Sequence, residues 1–244
     1  MITLRRDRDR HHDRRRKQEA WLTFYPQDRT DPLANGFGAL ALFDEMRLSP
    51  GGGTASHPRD EAEIITHVHK GALAQESSTG SSGVVYAGEF QHMTTGPGIR
   101  HKETNASQTD WAHIFRISLH PSEVGLDFGH QQKRFTAAER RNVLCVVASP
   151  DSRKGSLRIH QDALIYSSIL DAGHHLFHAL LPGRSAWLHI LYGEATLNDL
   201  VLTRGDGAGL TIESSVSLTV QEMTELLLVD FCATPRVPHL AALR

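Results

Sequence analysis

Helical periodicity is scarce in this chain, and so are cysteines, aromatics and long apolar runs. Its two cysteines, Cys145 and Cys232, lie far apart inside the apolar runs NVLCVVAS and LLLVDFCA. That excludes a disulfide-dense scaffold and leads us to expect buried free thiols in a reducing compartment. No apolar stretch approaches the roughly 20 residues that span a bilayer. None follows the positively charged start MITLRRDRDRHHDRRRK in the way a secretory leader requires, so a cytoplasmic protein with no membrane partner is expected. Charge of one sign is lacking too: the net charge is −2, which gives no global attraction to nucleic acid, and none is expected as partner. Walker-type phosphate loops and Gly-x-Ser-x-Gly elbows are absent, and neither cysteine stands in a nucleophile signature.

The chain does contain short β-rich runs separated by glycine turns. FGALALF, EIITHVHKG, GVVYAGEFQHM, AHIFRISLH, LIYSSIL, AWLHILYG and ELLLVDF predict an all-β sandwich or barrel, with one helical piece around FTAAERRN. ITHVHKGALA followed by YAGEFQHM is echoed by LHILYGEATL followed by TRGDGAGL, with Gly71 answering Gly193 and Gly88 answering Gly205. This predicts two copies of one module, residues 1–148 and 149–244, joined near the polar stretch SPDSRKG. Basic residues cluster only in residues 5–17, where eight Arg and Lys face three Asp. We expect a solvated arm or edge strand there.

Two segments carry metal chemistry. In GGGTASHPRDEAEIITHVHKG, His57 and Arg59 are two apart; in AGEFQHMTTGPGIRHKETN, His101 and Glu103 are two apart, behind a Gly96-Pro97-Gly98 turn. Residues two apart on a strand share a face, so His101 and Glu103 can both reach one ion inside a barrel, while in the first pair the second member is an arginine. Imidazole and carboxylate donors suit Fe(II), Mn(II) or a similar first-row ion. In the second half, His160, His174, His175, His178 and His189 form no such pair and are expected to be structural or exposed.

From Trp21 to Asp230 the chain resembles the pirin family, and in particular its quercetin dioxygenase-like bacterial members. The matching stretches are NGFGALALFDEMRLSPGGG, HPRDEAEIITHV, AGEFQHMTTGPGIRHKETN and SPDSRKGSLRIHQDALIYSSIL. The resemblance implies two tandem cupin (jelly-roll-like) barrels, the first holding a metal, usually iron, by three histidines and a glutamate, the second holding none. Carried over, the ligands are His57, His101 and Glu103, and Arg59 stands where the family has the remaining histidine. An arginine offers no lone pair to a metal.

Three arrangements accommodate Arg59. The site works with two histidines and a carboxylate; or His67, His69 or His92 replaces the lost ligand; or Arg59 pairs with Glu103 or Glu63 and the site is dead. The function implied is a quercetin 2,3-dioxygenase-type oxygenase acting on a flavonol-like aromatic. Glu103 would take the hydroxyl proton and Arg59 would hold an anionic substrate oxygen. The alternative is a regulatory or redox-sensing binding protein with a protein partner.

Overall fold

Several of the β-rich runs are apolar without alternation, which requires strands buried on both faces. The computed structural model describes residues 1–233 apart from 55–56, 60–61, 79, 81, 97–98, 121 and 124, and only the backbone of His57, Pro58, Arg59 and Ile99. The first half contributes β1 (Ile2–Arg5), β2 (His11–Arg15), β3 (Gln18–Leu22), β4 (Leu40–Leu48), β5 (His57–Arg59), β6 (Glu63–Lys70), β7 (Ala72–Ser77), β8 (Ser82–Tyr86), β9 (Glu89–Thr94), β10 (Ile99–Asn105), β11 (Ala112–Leu119) and β12 (Gly129–Arg134). The helical turn α1 (Ala137–Arg140) precedes β13 (Cys145–Ser149), β14 (Leu157–Arg158), β15 (Ala163–Leu170), β16 (His175–Ala179), β17 (Arg184–Tyr192), β18 (Glu194–Leu197), β19 (Leu200–Thr203), β20 (Gly207–Leu210), β21 (Ser215–Val220) and β22 (Thr224–Cys232). Thr136 caps α1 in a capping box with Glu139, which explains why FTAAERRN is the piece that turns helical.

Each half is a seven-stranded sheet facing a four-stranded one. The orders are β12-β9-β6-β11-β4-β3-β2 over β5-β10-β7-β8, and β1-β20-β17-β22-β15-β13-β14 over β16-β21-β18-β19. The predicted duplication is visible strand by strand: β9-β6-β11-β4 matches β20-β17-β22-β15, and β5-β10-β7-β8 matches β16-β21-β18-β19. Two strands that begin before residue 149 pair with the second sheet: β1, which binds the edge of β20, and β13, which binds β15 and runs across the expected boundary. Of the basic run, β2 is an edge strand, whereas Arg5 and Arg10 are buried in ion pairs with Asp31 and Glu45. The solvated-arm expectation fails at those two positions because each guanidinium has a carboxylate to meet.

The two large sheets pack against each other. Phe43, Phe90 and Phe115 from the first meet Trp187, Leu227 and Phe231 from the second in one core. β6 and β22 therefore bury one face inside a barrel and the other between barrels, whereas β18 and β21 alternate because only their inner face is covered.

The echoed glycines have a physical reason. Gly71 and Gly193 have φ of 76° and 81°, and a Cβ there would lie 2.8 Å from the Trp111 carbonyl oxygen and 2.5 Å from that of Met223. Gly193→Ala should cost about 2 kcal/mol, from a left-handed alanine plus the close approach. Urea unfolding reads this; a loss under about 0.5 kcal/mol, ordinary for a surface change, would refute the account.

A candidate metal centre in the first barrel

The two barrels are filled differently. Leu176, Leu188, Val216, Leu218, Leu226 and Leu228 close the second with apolar side chains. Met46, Leu48, Val68 and Ile114 do the same for only part of the first. The remainder is polar: Gln75, Gln91, His101, Glu103 and Arg116 are all buried. Such groups are tolerated inside a barrel only if they are paired or hold something.

β10 delivers two of them. Along it Arg100 and Lys102 face solvent while His101 and Glu103, 3% and 1% exposed, face inward, as their spacing predicts. β10 pairs with β5 so that His57 lies directly across from His101, and Arg59 lies across from Ile99. The backbone thus brings the three expected ligands His57, His101 and Glu103 onto one sheet, with Arg59 two residues along from His57. The side chains of His57 and Arg59, and Pro97 and Gly98 of the expected turn, lie outside the described residues.

His101 Nε2 is 3.3 Å from Glu103 Oε1, and among the described residues neither ring nitrogen of His101 has a hydrogen-bond partner. Metal bonds of about 2.0–2.2 Å place neighbouring ligand atoms roughly 3 Å apart, so this pair fits a shared cation. The other carboxylate oxygen, Oε2, receives the guanidinium of Arg116 from β11. Arg116 thereby fixes the carboxylate plane and turns Oε1 toward the imidazole. On β7, Gln75 pairs in register with Glu103, and its buried Nε2 has no partner among the described residues. A small cavity beside His101 is lined by Gln75, Met93, Phe128 and His130. His130 contacts Gln91, and burial, with the charges of His101 and His92, keeps its pKa below the usual histidine value.

The histidines weighed as replacement ligands face the other way. On β6, Ile64, Thr66 and Val68 point into the barrel, so Glu63, His67 and His69 point toward the second barrel; His92, across from Ile65, does too. Glu63 accepts from His160 N at 2.6 Å, His160 Nδ1 at 3.0 Å and Gln161 N at 2.7 Å. Burial would raise its pKa, but these bonds and His92 hold it below the usual range. His160 is therefore a structural contact that staples the barrels. In the second half His178 bonds Asp230 at 2.8 Å, His175 bonds Ser217 at 2.9 Å, and His189 is buried against Phe43.

Sequence reasoning missed Arg116, whose only signal was a lone charge in the apolar run HIFRISL. It also missed a second cluster between the barrels, where His67, His69 and Glu225 place one ligand atom each within 4.8 Å of one another. Burial lowers the pKa of His67, and that of His69 to about 4. Burial would raise the Glu225 carboxyl, but the facing imidazoles and the Arg140 guanidinium hold it at about 2.

Comparison with known proteins agrees with this architecture. Residues 4–118 match the family model described as Pirin, and residues 146–231 match that of the Quercetinase C-terminal cupin domain. The chain is 34% identical to a protein of Escherichia coli K12 named quercetin 2,3-dioxygenase, over 94% of this chain and 98% of that one. It is 33% identical to a pirin-like protein of Caulobacter vibrioides, over 82% and 86%. The crystal structure of YhhW from E. coli superposes with a TM-score of 0.89 at 34% identity, covering 95% of this chain and 97% of that one. A structure of bacterial pirin YhhW in complex with nickel(II) gives 0.89 at 33% identity, covering 95% and 99%. The matched residues span both barrels, and this chain belongs to the pirin family of two-barrel cupins.

Proposed function

We propose that the first barrel holds a divalent first-row cation, Fe(II) or Mn(II), through His57, His101 and Glu103. We further propose that the protein is an oxygenase of the quercetin 2,3-dioxygenase type acting on a flavonol-like aromatic. The observation that carries this reading is the Arg116–Glu103–His101 arrangement, in which one carboxylate oxygen is held by the guanidinium and the other lies 3.3 Å from an imidazole that has no hydrogen-bond partner among the described residues. Outer partners of this kind orient ligands at working metal sites. The nickel complex of YhhW and the name of the E. coli K12 relative point the same way.

A cation bound there supplies Lewis acidity toward a substrate hydroxyl oxygen. The chain's own residues do the rest. Glu103, with one oxygen held by Arg116, accepts the hydroxyl proton on the other; Arg59 holds the anionic oxygen left behind. Gln75 offers a donor on the same face. The position of Arg59 favours one competing reading, a regulatory or redox-sensing binding protein with a weakened site.

Elemental analysis of untagged protein purified without chelators tests the proposal. Near-stoichiometric iron or manganese is expected, lost in His101→Ala, with oxygen uptake on quercetin by the loaded wild type. Metal without oxygen uptake would leave the binding-protein reading. Wild type that fails to load with Fe(II) would overturn the site itself.

A further inference from the structure

The cluster between the barrels repeats the construction of the barrel site. Arg140 Nη1 lies 2.7 Å from Glu225 Oε1, as Arg116 holds one oxygen of Glu103. The free-facing oxygen, Oε2, lies 3.4 Å from His69 Nδ1. His67 is 2% exposed; its Nδ1 approaches the Glu89 carbonyl at 3.4 Å, a contact that sets Nδ1 as the donor. Its Nε2 therefore carries the lone pair, has no hydrogen-bond partner among the described residues, and faces Glu225 Oε1 at 3.7 Å, too far for a hydrogen bond. A buried lone pair aimed at a carboxylate oxygen is an unfavourable contact, and a cation between them removes it.

We infer that His67, His69 and Glu225 form a second metal site, separate from the first barrel's interior, for a divalent cation of borderline softness such as Zn(II). Two imidazoles and one carboxylate are a donor set for that class of ion. The side chains of His69 and Glu225 are 17% and 11% exposed, which gives the ion a path from solvent. The histidines sit on β6 of the first barrel and the glutamate on β22 of the second, so the ion would tie one barrel to the other.

The test uses the full, untagged chain carrying His101→Ala, which removes the barrel site and makes the result independent of the proposed function. Titration with Zn(II) should show one site, and binding should raise Tm. Adding Glu225→Gln, or separately His69→Asn at a partly exposed position, should weaken that site more than about tenfold and abolish the Tm rise. Circular dichroism checks that each variant is folded. No Zn(II) site in the His101→Ala protein would overturn the inference. So would a site whose affinity is unchanged by both folded variants, since that zinc would be held by surface histidines.

Discussion

Arg116→Met should lower stability by about 3 kcal/mol and weaken metal binding in the first barrel ten- to hundredfold. The Arg116 side chain is 5% exposed and that of Glu103 1%, so neither charge is solvated, and removing one partner of such a pair costs far more than the pair itself is worth. Methionine keeps the length and apolar stem of arginine, so the loss measures charge and orientation, with little cavity contribution. Urea midpoints and Fe(II) titration read the two effects. The double variant Arg116→Met/Glu103→Gln should recover much of the stability but none of the metal affinity, because a neutral amide no longer needs the guanidinium and no longer serves as an anionic ligand. If Arg116→Met kept wild-type stability and wild-type affinity, Arg116 would have no part in holding Glu103.

Acid should loosen the protein well before its carboxylates are titrated. Burial lowers the pKa of His67 and His69, and burial with the charge of Arg10 lowers that of His189 well below its ordinary value. In the unfolded chain each returns to about 6.5. Below that pH the unfolded state binds protons that the folded state refuses, so the stability is fully present above about pH 6.5. It is lost as pH falls through the folded values, about 4 for His69. Each histidine contributes roughly 1 kcal/mol per pH unit in that window. Glu225, held at about 2, extends the loss to lower pH, since its contribution is present above the ordinary carboxylate value and disappears as pH falls through the folded one. Urea midpoints at pH 7.5, 6.5, 5.5 and 4.5 should fall steeply after the second point, and a flat profile down to pH 5 would refute the argument. His67→Phe, stacking on Phe90 as the imidazole does at 4.1 Å, should flatten part of the slope.

The pair His101 and Glu103 was legible because a two-residue period on a strand whose neighbours are charged has only one buried side. His67 and His69 have the same period, yet their direction was not legible, since β6 is buried on both faces and HVH carries no sign of which face holds the barrel. The same double burial hid Arg116: a charge in an apolar strand signals a partner, but naming Glu103 requires the packing of one sheet over the other. The duplication was readable from Gly71 and Gly193, because a turn that excludes a Cβ leaves no choice of residue. The expected ligand role of His57 came from family resemblance, and the backbone register sets His57 across from His101. The contact of Glu63 with His160 and Gln161 joins distant parts of the chain, and nothing in either segment alone predicts it.

The first strand has a kinetic consequence. Ile2 pairs with Leu210 and Arg5 with Gly207, so β1 returns to an edge made almost at the other end of the described chain. Closing so long a loop is entropically expensive, and such contacts form late. During folding, β20 must wait with an unpaired edge, the feature by which partly folded β proteins recruit one another. The interval before β1 arrives is therefore when this protein is most exposed to aggregation, and dilution during refolding should protect it then.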